Sequence, residues 1–151
     1  MIELNSKTQQ DFLNREWVQK LLDAGVDMSD AKYCIYRSNG TDYIDYCGKI
    51  TDIKHTQIKS INIVPTYTVS ELLYKLNEWP FLFEMEEVGA PLSFCKDAPF
   101  YSFYYAFKDK NGNGVCTIEP FSEYPIEAAA ELLLQCVKNN IPYDKDISGK
   151  E

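Results

Sequence analysis

The stretch from Pro99 to Pro142 restricts the fold of this chain more than any other. Phe100 to Phe107 alternates, with Tyr101, Phe103, Tyr105 and Phe107 on one face and Phe100, Ser102, Tyr104 and Ala106 on the other, the period of a strand. A turn composition, Asp109-Lys110-Asn111-Gly112-Asn113-Gly114, follows, and Val115 to Phe121 reads as the returning strand. Pro125 then opens a helix as its first residue. Ile126, Ala129, Ala130, Leu133 and Val137 recur at helical spacing until about Asn140, before Ile141-Pro142. A hairpin running directly into an amphipathic helix defines an α+β fold.

The remaining elements fit the same class. Asn14 is a good N-cap for a helix over Arg15 to Ala24 that ends at Gly25 and places Trp17, Val18, Leu21 and Leu22 on one face. Lys32 to Arg37 and Asp42 to Cys47 flank Ser38-Asn39-Gly40-Thr41, and Asn-Gly takes the positive φ angles of a type I′ hairpin at low cost. The face bearing Tyr33, Ile35, Ile44 and Tyr46 is assigned to the core. Ile58 to Val64 reads as a strand or an ordered loop that Pro65 ends. Thr68 and Glu71 form a capping box, with Tyr67 and Leu72 at staple spacing, for a helix predicted to run to Trp79 before Pro80. Phe81 to Glu87 alternates as a half-buried strand, Gly89 to Pro99 reads as a loop, and Asp144 to Glu151 as a polar tail. The expectation is a single domain over 1–143, in which an antiparallel or mixed sheet of about five strands packs one face against up to three helices.

A chain of 151 residues is long enough for one such core. Its longest apolar runs fall far short of the roughly 20 residues a membrane-spanning helix needs, and Met1-Ile2-Glu3-Leu4-Asn5 resembles no secretory leader. A cytoplasmic location is expected. The five cysteines support it: none is in a Cys-x-x-Cys spacing, and His55 is the single histidine. The Asn39-Gly40 turn sets Cys34 opposite Asp45, so Cys34 and Cys47 are diagonal neighbours at about 7–8 Å, and all five cysteines are read as reduced. Net charge is −8. Between Glu71 and Glu131 there are eleven acids against four bases, a surface that repels phosphate backbones and anionic lipids. Direct nucleic-acid and membrane binding are not expected.

The succession of Asn14-Arg15-Glu16, Leu21-Leu22-Asp23-Ala24-Gly25-Val26, a Tyr-rich hairpin, Pro65-Thr66-Tyr67-Thr68 opening a helix, a strand pair, and Glu127-Ala128-Ala129-Ala130-Glu131-Leu132-Leu133 resembles a group of small uncharacterised proteins. These are encoded in prophages and mobile elements of gut bacteria. The resemblance runs from about Phe12 to Ile141, is one of layout, and implies a genomic setting without an activity or a cofactor.

Local chemistry is sparse. Asp109, Asn111, Asn113 and Gly114 match the first half of a calcium loop, but the position that needs a bidentate glutamate is Pro120 and the flanks are strand-like, so the segment reads as a hairpin turn. His55 has no adjacent nucleophile, and no phosphate loop, Gly-x-Ser-x-Gly or metalloprotease helix occurs. No catalytic, cofactor-binding or metal-binding residue is assigned. Phe100 and Tyr104 share the strand face opposite the core aromatics, near the acids Glu84 and Glu86, and rigid aromatic area of this kind suits protein docking. The preferred reading is a non-enzymatic accessory or protein-interaction protein using Phe100, Tyr104, Glu84 and Glu86. The second reading is a small hydrolase or metal-dependent enzyme whose acidic site draws on Glu84/Glu86 or Glu127/Glu131.

Overall fold

The structure is a computed structural model that describes residues 2–5, 8, 10–47, 63–81 and 88–147. In chain order its elements are β1 (Ile2–Glu3), α1 (Arg15–Asp23), β2 (Tyr33–Ser38), β3 (Thr41–Tyr46), β4 (Val64–Thr66), α2 (Val69–Lys75), β5 (Ser93–Asp97), β6 (Phe100–Lys108), β7 (Gly114–Ile118) and α3 (Pro125–Lys138). The chain is α+β, as its sequence implies. Its strands divide between two antiparallel sheets of order β1-β3-β2-β4 and β5-β6-β7 instead of forming one.

Both hairpins follow from turn chemistry. Asn39 and Gly40 have φ of 52° and 78°, and they lock β2 to β3 in the register that pairs Cys34 with Asp45. In the β6–β7 turn the Asp109 carboxylate accepts from the backbone N–H of Asn111 and of Asn113, both at 2.9 Å, while Gly112 supplies a positive φ of 80°. Asp109 is therefore spent on the turn amides.

α3 is the hub of the molecule. It packs on β6, α2 and α1, and Ile126, Ala128, Ala129, Ala130, Leu132, Leu133, Leu134 and Cys136 are all buried. A helix enclosed on nearly every side needs more than a single apolar stripe. Its alanines permit close approach while Ile126 and Leu133 meet Phe103, Tyr105 and Phe107 in the common core.

Several local expectations are corrected. The Thr68 capping box forms, with Thr68 N–H donating to Glu71 Oε1 at 3.0 Å and Glu71 N–H to Thr68 Oγ1 at 3.2 Å, but α2 stops at Lys75, not Trp79. The cause is tertiary: Leu76 turns extended and bridges to Tyr143, and the Lys75 side chain is drawn inward. Lys75 Nζ lies 2.6 Å from Asp30 Oδ2 and donates to the carbonyls of Asp27 (3.1 Å) and Lys145 (2.7 Å). Asp30 also accepts from the Tyr67 hydroxyl and from the N–H of Ile147. The segment expected to be a tail from Asp144 onward is thus held as far as Ile147, which is buried.

Pro65 lies inside β4 instead of ending a segment, because it faces Cys34 between the Tyr33–Thr66 and Ile35–Val64 pairs, where its missing N–H points away from β2. Tyr46, assigned to the core, is 55% exposed and stacks on Tyr33 at 4.9 Å. Ser93–Asp97, read as loop, is β5, its pairing with β6 outweighing a weak local pattern. Cys34 and Cys47 form a disulfide, with Cα atoms 5.3 Å apart. β3 ends at Tyr46, and Cys47, whose N–H still donates to the Lys32 carbonyl at 2.9 Å, stands at the strand's end, where its side chain reaches Cys34. The assumption of five reduced thiols is overturned; Cys95, Cys116 and Cys136 are free.

Candidate functional site

The face of β6 opposite α3 carries Phe100, Ser102, Tyr104, Ala106 and Lys108. Phe100 is 43% exposed at the strand's start, Ser102 is buried, and Tyr104 is half-buried. Tyr104 contributes to a cleft of about 560 Å³ whose other walls include Trp79, Phe81, Gly89, Ala106 and Lys108. The expected pair is therefore split: Tyr104 lies in a concave site, whereas Phe100 stands on the same strand face outside that lining. Glu84 and Glu86 lie outside the described residues.

Backbone pairing builds this cleft. Leu92 N–H donates to the Glu78 carbonyl at 2.8 Å and Ala90 N–H to the Pro80 carbonyl at 3.3 Å. Phe81 bridges to Gly89 and Gly89 to Lys108. These bonds set the Trp79-Pro80-Phe81 segment beside residues 89–92, which themselves pair with β6 through Gly89 and Lys108, and lay both aromatic side chains over Gly89. A Cβ at Gly89 would sit 2.7 Å from Trp79 Nε1 and 3.2 Å from the Phe81 ring, so the close approach requires glycine. Trp79 is 56% and Phe81 41% exposed, a large aromatic area left in water. Sequence reasoning placed Trp79 at a helix end and Phe81 in a half-buried strand; the available signal was the pair of large aromatics flanking Pro80.

Glu127 and Glu131 lie in a different, larger groove of about 770 Å³ between α1, α3 and the β7 edge. The Glu127 carboxylate accepts from Trp17 Nε1 and from Ser122 Oγ, each at 3.1 Å, and Glu131 accepts from Gln135 at 3.0 Å. Among the described residues no group of three or more His, Cys, Asp or Glu side chains is arranged to hold a metal ion. His55 and the Lys49 to Asn62 segment fall outside the described residues.

A third polar cluster is structural. Asp42 receives Arg15 and Arg37, each at 3.0 Å, which ties α1 to the β2–β3 hairpin. Burial raises the Asp42 carboxyl, but hydrogen bonds from Arg37 and Arg15 outweigh it and hold the group below its ordinary value. No helix among the described residues is long and apolar enough to cross a membrane. Comparison with protein-family models, curated proteins and solved structures finds no match to this chain.

Proposed function

We propose that this is a non-enzymatic accessory protein that docks a partner protein through the aromatic face around Tyr104, with Phe100 at its rim and Glu84 and Glu86 as its acidic contributors. The carrying observation is the cleft in which Trp79 and Phe81, both more than two-fifths exposed, stand over Gly89 beside Tyr104. Rigid aromatic area is the kind of surface that concentrates binding energy in protein interfaces. The acidic balance of residues 71–131 supports a protein partner over nucleic acid or an anionic lipid surface. The layout resemblance supports a prophage or mobile-element origin. A cytoplasmic setting belongs to the same reading, although the Cys34–Cys47 disulfide withdraws the support that reduced thiols gave it. The hydrolase or metal-enzyme reading has less support, because the Glu127 oxygens already hold two donors.

The test is affinity capture from source-cell lysate with three baits: wild type, Tyr104→Ala and Trp79→Ala, each first shown to be folded by circular dichroism. A stoichiometric partner retained by wild type and lost by both variants is the expected result. Identical captures by all three baits would remove the aromatic face from consideration.

A further inference from the structure

The outer edge of β7 has no strand beside it among the described residues. Tyr101 and Ser122 exchange both backbone hydrogen bonds, at 2.7 and 2.9 Å, which fixes the alternation along the segment: Ser122, Ile118 and Cys116 turn their amides to β6, while Thr117, Glu119 and Phe121 turn theirs outward. Natural edges are usually blunted by charge or by proline. Here the strand Gly114-Val115-Cys116-Thr117-Ile118 has neither, and Val115 and Phe121 are 49% and 50% exposed. Pro120 does not guard the edge, because its missing N–H belongs to the β6 side.

Beside this edge lies the groove of about 770 Å³, with Thr117, Glu119 and Phe121 on the strand side and Trp17, Glu127 and Glu131 on the helical side. A further strand laid on β7 would occupy it, with alternate side chains directed at the glutamates. Lys20, the basic residue of the lining, is engaged over the Trp17 ring at 4.2 Å. We propose that the open β7 edge is a strand-addition site for an extended segment of a partner protein carrying Lys or Arg at alternate positions. A second copy of this chain is a poorer occupant, since pairing two β7 edges would bring two acidic grooves together. This site is separate from the Tyr104 cleft and does not rest on it.

The probe is a fluorescein-labelled peptide of alternating lysine and valine, about seven residues long to match the edge at about 3.3 Å per residue. Its controls are the glutamate–valine peptide and a lysine–valine peptide N-methylated at every second amide. With the full chain, the lysine–valine peptide binds one to one and more tightly than either control by about tenfold or more, and weakens as salt rises from about 0.05 to 0.5 M. Thr117→Pro, which removes an outward amide and leaves the β6 ladder intact, and Glu131→Lys each reduce binding by about tenfold, while Trp79→Ala leaves it unchanged. Equal binding of all three peptides, or none up to about 1 mM, overturns the proposal. A β7-dependent dimer in sedimentation that Thr117→Pro abolishes would assign the edge to a second copy instead. The methylated peptide decides the question even if Thr117→Pro fails to fold.

Discussion

Lys75 is a charged side chain with no exposed surface, and its ammonium spends its three protons on Asp30 and on the carbonyls of Asp27 and Lys145. The cluster joins α2, the loop after α1 and the C-terminal segment, adding a polar tie to the core contacts of Met28 and Ile147. Lys75→Ala should cost about 3–5 kcal/mol, because Asp30 would remain buried and uncompensated. The double change Lys75→Met with Asp30→Leu should cost clearly less than Lys75→Ala alone. Urea unfolding of the single and double variants checks this, and a double variant weaker than Lys75→Ala would refute the pairing. Nothing in the local sequence advertises this ion pair. Val69-Ser70-Glu71-Leu72-Leu73-Tyr74-Lys75 holds no local partner that marks its lysine for burial, and only the arrival of Asp30 and Lys145 from distant positions withdraws that lysine from water.

At the level of elements, the β2–β3 hairpin is fastened twice, by its Asn39-Gly40 turn and by the Cys34–Cys47 bond near its open end. The bond closes a short loop, and loss of such a crosslink costs about 2–4 kcal/mol. Alkylation of the urea-unfolded protein with iodoacetamide should add three carbamidomethyl groups without reductant, at Cys95, Cys116 and Cys136, and five after reduction, as counted by intact mass. Five adducts without reductant would restore the reduced reading. The hairpin register was legible because turn type and alternation are local properties. The disulfide was not, since it depends on how the Cys47 side chain is placed at the end of β3. The Tyr104 side of the candidate site was legible from alternation in β6, whereas Trp79 and Phe81 joined it through backbone bonds to a segment that looked like loop.

For the whole molecule, the core should impose a pH limit on the alkaline side. Burial pushes the Tyr67 hydroxyl above its ordinary range, reinforced by the hydrogen bond to Asp30. Burial likewise raises Tyr105, whose hydroxyl also donates to the Asn77 carbonyl at 2.6 Å, and pushes the Cys136 thiol up to about 12. The unfolded chain loses these protons near pH 9 to 10 while the folded chain keeps them. Unfolding therefore releases protons, and stability falls as pH rises. The urea midpoint should hold steady up to about pH 8 and then decline, each group contributing about 1.4 kcal/mol per pH unit once its unfolded counterpart ionises. Tyr105→Phe should lower that slope by about one proton's worth. A midpoint independent of pH between about 8 and 11 would contradict the burial of these hydroxyls.

What the amino-acid sequence determined by itself is everything governed by near neighbours: the α+β class, the helix caps at Asn14 and Thr68, the Asn39-Gly40 and Asp109–Gly114 turns, and the core face of β6. Caps, turns and alternation act over a few residues, so their physics is written in order along the chain. Only the tertiary structure decided the division into two sheets, the enclosure of α3, the early end of α2, the cleft over Gly89 and the place of β7 at the edge of its sheet among the described residues. Each of these depends on residues far apart in sequence competing for the same hydrogen-bonding groups and the same apolar surface, and that competition is settled when the whole chain packs.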